Sequence, residues 1–245
     1  MERHDLLLDF ISLLINLQDG GLLGVTYRIP HLREIMREIN SLGLLYDEET
    51  GMFLENPRVR RTKNWGVLRE NEEYIFTFLA ADIVESTALV RRNPEQVIHS
   101  TYRDLRDLLQ SVVDKRNGRI WNWEGDGAVA AFYFTNKNNN AVLSAMEIIN
   151  EIYLYNLIHC RLDQPLEIRM AVHNGPCEYR SHFGELQNDT LKKLEEIEKN
   201  HTQPNSVTVS SSVHHMLSQL LAEQMTPMRH SSANTYYRFR LEWDD

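Results

Sequence analysis

The chain has 245 residues, with 35 acidic against 26 basic side chains and a formal net charge of −9. Apolar types at 42% and charged types at 25% belong to a folded globular protein and exclude a disordered or fibrous one. So acidic a balance also excludes bulk attraction to nucleic acid, though a local site with metal ions or arginines can still hold a polyanionic small molecule. Two cysteines, Cys160 and Cys177, are too few for a disulfide framework and suit a reducing compartment. No run reaches 18 apolar residues, and the start MERHD lacks the basic flank of a secretory signal. A cytoplasmic protein with no transmembrane segment is the expectation.

In chain order, residues 6–17 read as an amphipathic helix that Gly20 and Gly21 end. Pro30 opens a second helical pattern over 31–42, with Leu32, Ile35, Met36, Ile39 and Leu42 at spacings of three and four. The basic run RVRRTK, 58–63, falls in a polar linker. Residues 1–72 are therefore expected to be a helical N-terminal extension and linker, too small to stand alone, with the main domain at 73–245. From residue 74 the pattern alternates. Strands are expected at 74–83, 118–125, 128–134, 166–173, 177–182, 206–210 and 234–243. Helices are expected at 94–115, 140–157, 188–199 and 213–223. The turn Gly125-Asp126-Gly127 joins its strands tightly, so they run antiparallel. That favours a ferredoxin-like α+β sandwich over a doubly wound sheet.

Asp82 ends the first strand of this domain, in FLAADIVESTAL, and Asp126 occupies the turn of WNWEGDGAVAAF. Neighbouring strands can bring both carboxylates to one end of a sheet, where two hard oxygen ligands suit Mg²⁺ or Mn²⁺ carrying a polyphosphate. Ser86 and Thr87 follow Asp82 where a helix N-terminus can face phosphates. As residue patterns alone, a Gly-Asp-Gly turn serves a plain hairpin equally well, and Asp82 equally caps the next helix.

The motifs ADIVESTAL, EGDGAVAAF, IRMAVHNGP and FGELQNDTLKK follow one another between about residues 73 and 241. In that order they resemble the class III nucleotidyl cyclases, the adenylate and guanylate cyclase catalytic domain. The resemblance implies that fold, preceded here by the small helical extension. It implies two Mg²⁺ or Mn²⁺ ions per active site, held by Asp82, Asp126 and the carbonyl of Ile83. The implied reaction is attack of a ribose 3′-hydroxyl on the α-phosphate of a nucleoside triphosphate, releasing pyrophosphate. Arg169 matches the position that contacts the terminal phosphates, a task suited to an arginine fork. His173 and Asn174 shape the end of that strand. Asn188 matches the asparagine that positions the ribose. Lys192 stands where the family has its transition-state arginine, keeping the charge without the planar fork. Lys193 is the alternative occupant if the helix register shifts, and Arg229 is the candidate cation from the last hairpin. The resemblance further implies a homodimer with shared active sites, one protomer supplying Asp82, Asp126 and Arg169 and its partner Asn188 and Lys192. The competing reading is an inactive cyclase-fold module that binds a nucleotide.

The base pocket departs from the purine pattern. Asn122 and Ser181 occupy the positions that carry lysine and aspartate in adenylate cyclases, and they are not the glutamate and cysteine pair that reads guanine. Trp121 and Trp123 flank Asn122, and strict alternation puts both tryptophans on one face with Asn122 on the other. Tyr179 lies near Ser181 and can crowd the pocket. This combination resembles the pyrimidine cyclases of antiphage signalling, whose cyclic product is sensed by a separate effector protein. It makes UTP the expected substrate and CTP the next, with ATP, and hence an adenylate cyclase, as the alternative. A diguanylate-type palm is disfavoured because its Gly-Gly-Asp/Glu-Glu-Phe hairpin does not occur in the sequence.

Overall fold

The computed structural model describes residues 2–21, 23, 25–48, 51–56, 62–180, 188–229 and 235–241. The chain divides into two compact units, Met1–Glu70 and Asn71–Asp245.

The first unit contains α1 (Glu2–Asp19), α2 (Leu32–Ser41) and a hairpin of β1 (Leu44–Asp47) and β2 (Met52–Glu55). Ile11 and Ile15 of α1, Leu32 and Ile39 of α2 and Phe53 of β2 form its buried cluster. The helical spacings of three and four foretold α2. The hairpin adds strand structure that the helical periodicity of residues 1–72 does not announce. Four-residue strands are too short for an alternation signal, and the turn shows only as Gly51, whose φ of +67° needs glycine.

The second unit opens with β3 (Glu73–Ile83), α3 (Ser86–Arg92), α4 (Glu95–Lys115), β4 (Arg119–Glu124) and β5 (Gly127–Phe132). It continues with α5 (Lys137–Ile158), β6 (Ile168–Glu178), α6 (Asp189–His201) and β7 (Ser206–Ser210). It closes with α7 (Ser211–His214), α8 (Gln219–Ala222), β8 (Thr226–Arg229) and β9 (Thr235–Arg240). Its sheet has the order β4-β5-β3-β6-β7-β9-β8. β3 is antiparallel to both β5 and β6, and β4 is antiparallel to β5. The first four strands thus trace βαββαβ in the ferredoxin-like order, as expected. β6 and β7 are parallel, with α6 as their crossover.

Alternation along β3 sends Leu79, Ala81 and Ile83 to one face and Phe76, Phe78 and Asp82 to the other. The first face packs with Leu105, Leu109 and Val112 of α4 and with Ala141, Ala145, Ile148 and Ile149 of α5. α5 is long and apolar enough to cross a membrane by length and composition alone. Ala141, Val142, Ala145, Met146, Ile148, Ile149 and Ile152 are buried in this core, whereas Leu143, Leu154, Leu157 and Ile158 are exposed.

Two departures from the sequence reading affect the site. β6 is one strand of 11 residues rather than two broken at Asn174-Gly175-Pro176. Pro176 is tolerated because only Arg169–Val172 pair with β7, so the rest of β6 needs ladder bonds on one side only. Gly175 is not a turn residue either. A Cβ there would stand 2.5 Å from Thr190 Oγ1, so glycine lets α6 approach. The second departure is a β-bulge between Ile120 and Asn122. The extra residue, Trp121, packs on Phe76 and Phe78, whereas Trp123 packs with the core beneath α4 and α5. The two tryptophans therefore lie on opposite faces, because a bulge resets the two-residue alternation.

Candidate active site

Asp82 is the penultimate residue of β3 and stands directly across from Arg169 of β6. Both side chains are about three-quarters buried, and Arg169 Nη2 donates to Asp82 Oδ2 at 2.8 Å. Arg169 Nε also pairs with Glu198 of α6, whose side chain is only 6% exposed. Ile83 is buried in the core, so only its main chain is offered to a ligand.

Asp126 is held in the β4–β5 turn, where Gly125 has φ +57°. The β5 ladder pairs Ala128 with Ala81. Carried on by two residues, that register sets Asp126 beside Ile83, at the same sheet end as Asp82. The phenol of Tyr102, on α4, reports on both carboxylates. Burial raises its pKa most, and Asp126 and then Asp82 raise it further. Tyr102, Asp126 and Gly125 line an open hollow of about 430 Å³ together with Ser86, Thr87 and Arg91. Arg106, one helical turn after Tyr102, lies 5.6 Å over the Trp123 ring and donates to the Gly125 carbonyl at 3.4 Å.

Among the described residues no group of three or more His, Cys, Asp or Glu side chains is assembled. Two carboxylates and a main-chain carbonyl are too few for an all-protein cage. They fit Mg²⁺ or Mn²⁺, which keep several positions for water and phosphate oxygens.

The remaining candidates lie elsewhere on the sheet. Asn188 caps α6, accepting from Thr190 N at 2.7 Å and donating to the Pro176 carbonyl at 3.2 Å. Pro176 pairs with Ile75. Seven residue steps along β3 lead from that point to Asp82, about 23 Å along an extended strand. Lys192 is exposed and reaches Asp189 at 3.5 Å. Lys193 is tied to Glu196 and lies 5.5 Å from the Tyr236 ring centre. Asn188 and Lys192 of one chain thus do not meet its own Asp82. His173 and Asn174 sit within β6 rather than at its end. His173 Nδ1 lies 2.9 Å from Ser210 Oγ, and burial, then Lys193, depresses its pKa to about 4.

Of the base-pocket candidates, Asn122 is half-buried and pairs with Val129, which itself pairs with Ala80, close to Asp82. Tyr179 is buried with its ring 5.7 Å from that of Trp121, at the Asn188 end of the sheet. Ser181 lies outside the described residues. Arg229 ends β8, the edge strand four places from β3.

No family model and no curated protein matches the chain. Solved structures do. A guanylyl cyclase domain of the RhoGC fusion protein from Blastocladiella emersonii matches 71% of this chain over 100% of its own, at 17% identity and a TM-score of 0.60. An adenylate/guanylate cyclase/hydrolase from Silicibacter pomeroyi matches 70% over 99%, at 20% identity and 0.58. The adenylyl cyclase CyaB from P. aeruginosa matches 72% over 99%, at 15% identity and 0.58. The chain has the class III nucleotidyl cyclase fold. Within that cyclase fold, Asp82, Asp126 and Arg169 gather at one end of the sheet and Asn188 at the other, with Lys192 one helical turn along α6 from Asn188.

Sequence reading did not single out Tyr102, Arg106 or Glu198. Tyr102 and Arg106 share a face of α4, and only the β4–β5 turn beside them gives them meaning. Glu198 sits in the charged run LKKLEEIEK, where nothing local separates a buried acid from its solvated neighbours.

Proposed function

We propose that this chain is a metal-dependent nucleotidyl cyclase that acts as a homodimer, closing the ribose 3′-oxygen onto the α-phosphate of a nucleoside triphosphate with loss of pyrophosphate. The observation that carries this reading is Asp82 and Asp126 at one sheet end with Arg169 beside Asp82. Asp82, Asp126 and the Ile83 carbonyl hold the divalent ions. When bound, these ions lower the pKa of the 3′-hydroxyl and offset charge on the triphosphate. Arg169 offers N–H donors to the phosphates. Asn188 and Lys192 of a second copy orient the ribose and balance charge in the transition state, since Asn188 is held about 23 Å from its own Asp82 along β3 and Lys192 is turned to its own Asp189.

Two readings of the base differ. The cyclases that this fold resembles are named for adenylate and guanylate, which favours a purine triphosphate and cyclic AMP or cyclic GMP as product. The pyrimidine reading rests on the missing purine-reading charge at Asn122, half-buried near Asp82, whose amide can meet a uracil or a cytosine edge without choosing between them. The effector protein and the antiviral setting stay with the pyrimidine reading. Purified protein with Mn²⁺ and equal concentrations of ATP, GTP, CTP and UTP tests both levels together. A cyclic mononucleotide from any of them supports the cyclase, and the preferred base selects between the two readings. A confirmed dimer giving no cyclic product from any of the four leaves the nucleotide-binding module.

A further inference from the structure

The site as read above makes no use of Glu198. It lies on α6, whose other acids face water: Glu195 and Glu196 have side-chain exposures of 60% and 44%, against 6% for Glu198. Burying a carboxylate is expensive unless a cation meets it. The cation it meets is Arg169, through Nε, while Nη2 of the same guanidinium holds Asp82. One planar fork therefore bridges two acids on different elements, the end of β3 and the body of α6.

We propose that Glu198 is a positioning residue that holds Arg169 by its Nε edge while Asp82 exchanges the arginine for a divalent cation. The proposal rests on the metal-binding reading of Asp82. With Glu198 in place, Arg169 stays charge-compensated and oriented after Asp82 turns to the cation, and its Nη2 donor is released towards phosphate. Without Glu198, Arg169 has one anion left and closes on Asp82, so an arriving cation has to displace it. Cation binding at Asp82 and phosphate binding at Arg169 become coupled through this exchange.

The test is Mn²⁺ binding to the full chain by calorimetry, without nucleotide. Glu198→Gln keeps the side-chain shape and is expected to weaken Mn²⁺ binding by about fivefold or more. In an Arg169→Met background the same change is expected to have no effect, because the competitor for Asp82 is gone. Wild-type Mn²⁺ affinity in Glu198→Gln overturns the proposal. So does an equal loss in both backgrounds, which marks a simple field effect of the lost charge. Asp82→Asn separates the two levels. If it binds Mn²⁺ like wild type, the metal reading itself fails; if it loses binding while Glu198→Gln does not, only the positioning role fails. Should Glu198→Gln not fold, Glu198→Asp keeps the charge but shortens the reach by one methylene. It is then expected to weaken Mn²⁺ binding, and wild-type affinity in that variant overturns the proposal.

Discussion

Arg169 stands across the β3–β6 ladder from Asp82 and donates Nη2 to its Oδ2 at 2.8 Å. The first carboxylate of the proposed metal site is thus compensated before any cation arrives, whereas the second sits in a turn. Asp82→Asn and Asp126→Asn are both expected to abolish Mn²⁺-dependent turnover, since each removes an anionic ligand. Their melting curves are expected to differ. Asp82→Asn gives up a charge-assisted bond and loses about 1 kcal/mol, an amount discounted for partial exposure, while Asp126→Asn melts near wild type. Rates and thermal melts on the two variants check this, and near-wild-type kcat in both removes the aspartates from the mechanism.

The separation of Asn188 and Lys192 from Asp82 makes a mixing experiment decisive. Asp126→Asn and Lys192→Ala chains are each expected to be inactive as homodimers. Mixed, they form heterodimers with one intact shared site, and part of the activity returns. No recovery despite demonstrated subunit exchange counts against the division of residues between copies.

Asn138, at the start of α5, accepts at Oδ1 from Thr77 Oγ1 at 2.9 Å and from Asn174 Nδ2 at 3.1 Å, tying α5 to β3 and β6. All three side chains are buried. Asn138→Ala strands Thr77 Oγ1, leaves Asn174 Nδ2 only the Met216 sulfur, and is expected to lower stability by about 1–3 kcal/mol, measured by denaturant unfolding. A loss indistinguishable from zero removes this network from the account of the core.

His173 has a folded pKa of about 4, below the ordinary value of 6.5, with burial as the larger cause and Lys193 as the smaller. Between those values the unfolded chain binds the proton and the folded chain does not. This group therefore lets stability rise with pH from about 4 to 6.5, and its contribution is level above that window. His173→Gln is expected to flatten the pH dependence of the melting temperature in that interval. An unchanged slope would sink the assignment.

Much of the layout is legible along the chain: the βαββαβ core, α2 from its spacing, and the placing of Asp82 at a strand end and Asp126 in a glycine turn. These are local properties, written in hydrophobic period and turn chemistry. Tertiary structure decided the rest, because those features depend on what lies across the sheet. Trp121 and Trp123 part company only because β4 bulges against β5. Gly175-Pro176 reads as a chain break, yet it runs through a strand because β3 pairs along its whole length and Thr190 needs the space over Gly175. Glu198 reads as one more surface acid in a charged helix, until the parallel crossover lays α6 over Arg169 and turns it into the buried partner of the arginine facing Asp82.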